Sequence, residues 1–226
     1  MSKLNHISFI LDGNRRWAKN SGLDIFDAYE IGARNVEKMI DYCHKKGISH
    51  ASFFAFSTEN NERGEREKEA IFKVLKSSLE SNLYSIVKRH DIKVSFFGDI
   101  SKMPKDIYDL MQKIEDKTKN NQGINVGLCI NYSGKWDILN AISKIDGGIN
   151  EKNFEKNFAK YLSFSGFPDP DILIRTGGRN RISNFCLWNL AYSEIFFMKK
   201  MWPDFNKKDL SRVITDYNNI ERNFGI

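Results

Sequence analysis

Cysteine is scarce: only Cys43, Cys129 and Cys186 occur in 226 residues, and no two are near each other. An odd, scattered set in apolar surroundings excludes a disulfide framework and reads as buried, reduced thiols in a cytosolic chain. No run approaches the ~20 apolar residues needed to span a bilayer. The start, Met1-Ser2-Lys3-Leu4-Asn5-His6, lacks the apolar centre of a signal peptide. Any membrane contact is therefore expected to be peripheral. Histidine is sparse as well, and His6, His44, His50 and His90 show no H-E-x-x-H or other zinc spacing. Neither G-x-x-x-x-G-K-[ST] nor G-x-G-x-x-G occurs, which disfavours a P-loop and a dinucleotide fold. Net negative charge is lacking: the formal charge is +6 and the pI about 9.1. Phosphate ligands, an anionic lipid surface or nucleic acid would all suit that balance. A nucleic-acid module would show a basic helix or regularly spaced stacking aromatics. Most of the 17 phenylalanines instead lie in apolar segments and read as core, so no nucleic-acid partner is expected.

The length suits one α/β domain spanning residues 1–226. Ile7–Leu11 reads as a strand buried on both faces, stopped by the turn signal Asp12-Gly13-Asn14. Further strands are expected at 51–56, 92–98, 124–130, 171–174 and 194–198. Helical spacing lies between them: Val36, Met39, Ile40 and Cys43; a long stripe over 66–89; Ile107, Leu110, Met111 and Ile114; Trp136, Leu139, Ile142 and Ile145, ended by Gly147-Gly148. A short helix carries Phe154, Phe158 and Leu162, and a last one follows a cap at Asn206. Alternation from end to end predicts an α/β fold with a mostly parallel central sheet of about six strands, flanked by helices. The wide stripe of 66–89 reads as core, or as one wall of an apolar tunnel.

Three polar loops follow three buried strands, at 12–17, 57–64 and 175–183. In a parallel sheet the C-terminal ends of the strands share one edge, where ligands bind. The loops bring Arg15, Arg16, Arg63, Arg175, Arg179 and Arg181 towards that edge. Two like charges 4 Å apart repel by roughly 4 kcal/mol at an effective dielectric near 20. Such a cluster calls for a highly charged anion, and Asp12 beside it suits a hard cation. Arg179 is the one most readily left to solvent.

The same loops resemble the cis-prenyltransferase family, in particular its bacterial members that make undecaprenyl diphosphate. His6 through Ala18 is similar to H-x-x-x-I-M-D-G-N-G-R-W-A, and Phe56 to Glu67 to F-S-x-E-N-W-x-R-P-x-x-E. Asn131–Asp137 is similar to N-Y-G-G-R-W-D. Asp171 to Glu194 keeps D-x-x-I-R-T-G-G-x-x-R-I-S-N-F-x-x-W-x-x-A-Y-x-E, and Glu221–Gly225 resembles E-R-x-F-G. No D-D-x-x-D pair of the all-helical trans-prenyl synthases occurs. The resemblance implies a homodimer that condenses farnesyl diphosphate or another allylic diphosphate with isopentenyl diphosphate, supplying a cell-wall lipid carrier. By its pattern Asp12 holds Mg²⁺, and Glu194 reaches the metal across the dimer. Gly13, Asn14, Arg15, Arg16, Trp17, Ser57, Thr58, Glu59, Asn61 and Arg63 bind the allylic diphosphate. Arg175, Arg181, Ile182 and Ser183 bind isopentenyl diphosphate, while Asn60 with Ser57 serves proton removal. A bilayer would accept the product. The chain departs from the pattern in having Arg15 for glycine, Ile25 for arginine and Tyr29 for histidine. It also has Asn61 for tryptophan, Gly64 for proline and Asn180 for histidine. The alternatives the resemblance leaves are a cis-prenyltransferase of different product length and a non-catalytic subunit of the same fold, which typically loses the metal aspartate, whereas Asp12 is present. A basic nucleic-acid-binding protein is the distant alternative.

Overall fold

The structure, a computed structural model, describes residues 4–82, 90–145 and 154–221, without the side chains of Asn82 and of 154–156. Six strands form one sheet: β1 (His6–Ile10), β2 (His50–Ser57), β3 (Lys93–Phe97), β4 (Asn125–Tyr132), β5 (Ile172–Arg175) and β6 (Glu194–Phe197). Every pairing is parallel, in the order β3-β4-β2-β1-β5-β6. From β1 the chain adds β2 beside it, crosses to the edge with β3 and inserts β4 between them, then returns to add β5 and β6 on the other side of β1. The strand order therefore reverses at β1, and a crevice is expected beyond its carboxyl end.

Alternation along the strands assigns side chains to two faces. Ile7, Phe9 and Phe53 join a core with Met39, Ile40 and Cys43. Ile10 and Phe54 point the other way, into a cluster with Phe97, Cys129, Phe164 and Phe185. The first face is covered by α2 (Ile25–Lys45), α3 (Glu65–Ser77), α4 (Lys105–Thr118) and α7 (Lys207–Asn218). A short α1 (Asn14–Ser21) precedes α2, whereas α5 (Gly134–Ser143) and α6 (Phe154–Ala159) build a small satellite cluster around Ala141 and Phe158. As expected, Asn206 caps α7: its side chain accepts from the Lys208 amide at 2.9 Å.

Several expectations need correction. Residues 12–17 are not a loop throughout, because α1 starts at Asn14, with Arg15, Arg16 and Trp17 in its first turn. The long helix expected over 66–89 runs as α3 only to Ser77 and passes into a π-helical turn, Ser78–Asn82. Its continuation through Leu83, Ile86 and Val87 lies outside the described residues, as do Gly147-Gly148 and 222–225. Leu139 and Ile142 keep helical period in α5 yet are exposed. Leu162 lies beyond the end of α6.

Candidate active site

Three strand ends and the helices after them surround a cavity of about 730 Å³. Its mouth is polar, with Asp12, Asn14, Arg16, Arg63, Arg175 and Arg181 among the lining residues. Its interior is apolar: Val36 and Ile40 of α2, Phe56 of β2, and Ile71, Val74 and Leu75 of α3. The bore thus lies between the sheet and α2 and α3: the stripe expected as one wall supplies Ile71, Val74 and Leu75, while the α2 wall was not expected from the sequence. Near its rim β2 loses register with β4 on either side of Phe56. Such irregularities bend a strand and re-aim its side chains. Here the exposed Ala55 is turned into the cavity wall.

Asp12 and Arg175 form the centre of the mouth. Arg175 Nη2 donates to Asp12 Oδ2 at 2.8 Å, and Nη1 donates at 2.6 Å to both the Arg181 carbonyl and Ser183 Oγ. The Arg175 side chain is 4% exposed, against 26% for Asp12, so the arginine is rooted in protein while the carboxylate reaches the opening. Arg16 Nη2 donates to the other Asp12 oxygen at 3.2 Å. Thr176 Oγ1 donates to the Asp12 carbonyl at 2.7 Å and fixes the turn from below. Two glycines make this closeness possible. Gly13 has φ +115°, and a Cβ there would lie 2.8 Å from Met201 Cβ. Gly177, at φ +83°, passes so near Arg16 that a Cβ would meet its Nη2 at 2.6 Å. Ser183 and Asn184, beyond Arg181, also adopt left-handed backbone, a strained state that tends to gather at functional sites.

A second group stands beside the first. Arg63 Nη1 donates to Glu67 Oε1 at 2.8 Å and to the Tyr29 hydroxyl at 2.6 Å, and that hydroxyl donates in turn to Glu67 Oε1 at 2.8 Å. Arg15 lies 3.8 Å from the other Glu67 oxygen. The Ser57 amide donates to Asn60 Oδ1 at 3.2 Å. Glu59 accepts from Asn184 Nδ2 at 2.8 Å. Burial works against the Glu59 charge, but hydrogen bonds from Asn184 and from its own segment outweigh it and hold its carboxyl below the usual range.

Of the arginines expected at this edge, Arg15, Arg16, Arg63, Arg175 and Arg181 line the cavity, and Arg179 is exposed elsewhere. Gly13, Asn14, Ser57, Glu59, Asn60 and Ser183 line it too. Trp17 does not, since its indole N–H donates to Asp204 at 2.9 Å. Thr58 and Asn61 also lie off the lining: Asn61 Nδ2 is spent on the Thr58 carbonyl and on Asn131 Oδ1. Ile182 packs into the second core cluster. Glu194 opens β6 opposite Ile172, at the other end of the strands from Arg175, and is not near Asp12 within one chain. Sequence reasoning missed Thr176 and Glu67 as parts of the site, although both fall inside the motifs read there.

Among the described residues no three of His, Cys, Asp and Glu gather as a closed metal site. Mg²⁺ commonly takes one or two carboxylates together with substrate phosphates. Asp12, with Asn14 Oδ1 buried and without a hydrogen-bond partner at the same mouth, fits an ion shared with a phosphate ligand. The polar mouth over an apolar bore suits a molecule with an anionic head and a hydrocarbon tail.

Comparison with known proteins agrees. Residues 10–225 match the Prenyltransf family model, that of undecaprenyl diphosphate synthase. The isoprenyl transferase of Aquifex aeolicus is 38% identical over 223 residues, 97% of this chain and 95% of the relative. The farnesyl-diphosphate-specific ditrans,polycis-undecaprenyl-diphosphate synthase of Coxiella burnetii is 34% identical, over 98% of this chain and 95% of its own. Among solved structures, lavandulyl diphosphate synthase from Lavandula x intermedia, in complex with dimethylallyl diphosphate, superposes with a TM-score of 0.94 at 31% identity, covering 98% of both chains. With sequence and topology in accord over nearly its whole length, this chain belongs to the undecaprenyl diphosphate synthase family and is a cis-prenyltransferase.

Proposed function

We propose that this prenyltransferase extends an allylic diphosphate, with farnesyl diphosphate as primer, by successive isopentenyl diphosphate units to a long polyprenyl diphosphate, undecaprenyl diphosphate, used as a cell-wall lipid carrier. The observation that carries the reading is the continuity of the arginine-lined mouth with the apolar bore. The allylic diphosphate sits with its head against Arg15, Arg16, Arg63 and the turn Gly13-Asn14, its tail in the bore. Isopentenyl diphosphate is held by Arg175, Arg181 and Ser183. Asp12 is the carboxylate for Mg²⁺, which when bound supplies positive charge that stabilises diphosphate as a leaving group. Fixed arginines aimed at the same oxygens act by preorganised electrostatics. Asn60, tied to Ser57, orients the carbon that loses its proton, and a diphosphate oxygen takes that proton. Each five-carbon unit drawn into the bore gains on the order of 4 kcal/mol, at ~0.8 per methylene.

Two features support an assembly around this core. β6 is an edge strand on which Ile195 and Phe197 are exposed, and Tyr192 before it is 72% exposed. That apolar edge favours a homodimer, through which Glu194 of one chain approaches the metal of the other. No helix among the described residues is long and apolar enough to cross a membrane. The +6 charge favours peripheral contact with anionic lipid, where the product is released.

The test is direct. Purified protein is incubated with farnesyl diphosphate, radiolabelled isopentenyl diphosphate and Mg²⁺, and the products are chromatographed. A ladder ending at a long polyprenyl diphosphate, absent with Asp12→Ala or with chelator, is the expected result. No elongated product from any allylic primer would refute the reading.

A further inference from the structure

We propose that Tyr29 is a positioning residue for the allylic diphosphate: its hydroxyl, together with Glu67, holds one corner of Arg63 and leaves the opposite edge of the guanidinium for the ligand. The inference rests on the allylic reading of this mouth.

Tyr29 stands on the boundary between the two halves of the cavity. Its ring packs against the main core and lines the bore, while its hydroxyl reaches the polar mouth. Arg63 uses a single nitrogen, Nη1, for both of its side-chain bonds, to Tyr29 Oη and to Glu67 Oε1. A guanidinium is a planar fork, so fixing one corner on two acceptors fixes the direction of the whole plane. The Nε and Nη2 edge is then available for the paired oxygens of a phosphate, the geometry in which arginine binds most strongly. Glu67 alone would leave Arg63 free to pivot about one oxygen. Tyr29 adds a second acceptor from a different helix and removes that freedom. Burial pushes the Tyr29 hydroxyl well above its ordinary range, which keeps it protonated and able to donate to Glu67. Glu67, 14% exposed, also faces Arg15 through its other oxygen, so one carboxylate backs two arginines. This arrangement gives tyrosine a purpose at a place where the family pattern commonly has histidine.

The test reads binding apart from turnover. Affinity for farnesyl diphosphate is measured by calorimetry with Mg²⁺ and no isopentenyl diphosphate, and again with inorganic pyrophosphate. Tyr29→Phe keeps the ring and should weaken both ligands about two- to tenfold, the worth of one hydrogen bond. In an Arg63→Ala background the same change should cost nothing further, because the group it orients is gone. Unaltered affinity in Tyr29→Phe, or losses that simply add in the double variant, would overturn the proposal. Thermal melts of each variant separate misfolding from loss of binding. Wild-type protein that binds pyrophosphate but does not elongate farnesyl diphosphate would refute the functional reading while leaving the arginine cycle measurable. Binding of neither ligand would overturn both.

Discussion

At the start of the strands, His6, Ser8 and Ser52 are as deeply buried as Arg175 and Thr176 are at the strand ends. At the start, every one of these groups is answered. His6 Nδ1 is 2.7 Å from the Pro168 carbonyl and Nε2 is 2.9 Å from Ser52 Oγ, which in turn lies 2.6 Å from Ser8 Oγ. Asp171 accepts the Asn5 and His6 amides at 2.7 and 3.0 Å. At the other edge the accounting fails: Asn14 Oδ1 and Arg175 Nε are buried without hydrogen-bond partners. Left-handed backbone and the cavity gather there as well. Satisfied polar networks rigidify a fold, whereas unsatisfied ones call for an explanation such as a ligand. Asn189 Oδ1, beside Asp169 at the start of the strands, is also without a partner, so what sets the other edge apart is that its orphaned atoms belong to residues lining the cavity.

The sharpest way to break that contrast is Asp12→Ala. Turnover should fall about 10²–10³-fold or more, the scale on which a fixed electrostatic group acts. Steady-state rates with saturating primer check this, and turnover near wild type would end the distinction. His6→Gln is the counterpart, expected to lower the melting temperature while kcat stays within twofold.

Acid should act first on the satisfied edge. Burial, the largest cause, drives the His6 pKa down to about 4, against an opposing hydrogen bond to Pro168. The unfolded chain therefore takes up this proton before the folded one. The stability that His6 contributes is complete above about pH 6.5 and is lost as the pH falls towards 4, at a cost of about 3 kcal/mol. Urea titrations of wild type and His6→Gln across that window should converge as the pH drops. Parallel curves would contradict it.

Gly13→Ala probes strain on the active edge. A non-glycine residue at φ +115°, with its Cβ against Met201, should cost about 1–3 kcal/mol and also weaken diphosphate binding. Denaturant midpoints and calorimetry on the same variant test both halves. The smallest effect is expected inside the bore. Ala33→Leu in α2, which narrows the lining, should shift products towards shorter chains, as read by thin-layer chromatography.

Much of this was legible in the sequence. β1, β4 and β5 announce themselves because they are buried on both faces, and each anion-binding turn directly follows a strand. The onset of α1 at Asn14 was hidden because Gly13 precedes it without a side-chain cap, so Asp12-Gly13-Asn14 looks like an ordinary turn. The π-helical turn at Ser78–Asn82 leaves the apolar stripe intact and so gives no periodic signal. Period also says that Leu139 and Ile142 share a face without saying what covers it. The separation of Glu194 from Asp12 depends on register along β5 and β6, which no local motif encodes.

The Arg175–Asp12 contact joins residues 163 positions apart. A nascent chain therefore has the first half of the site early and lacks the second until more than 160 further residues have been added. Fragments ending before β5 should keep the residues set around the allylic head, Arg15, Arg16 and Arg63, yet lack Arg175, Arg181 and Ser183, so no nascent chain can bring the two substrates together until β5 and the loop after it have been made.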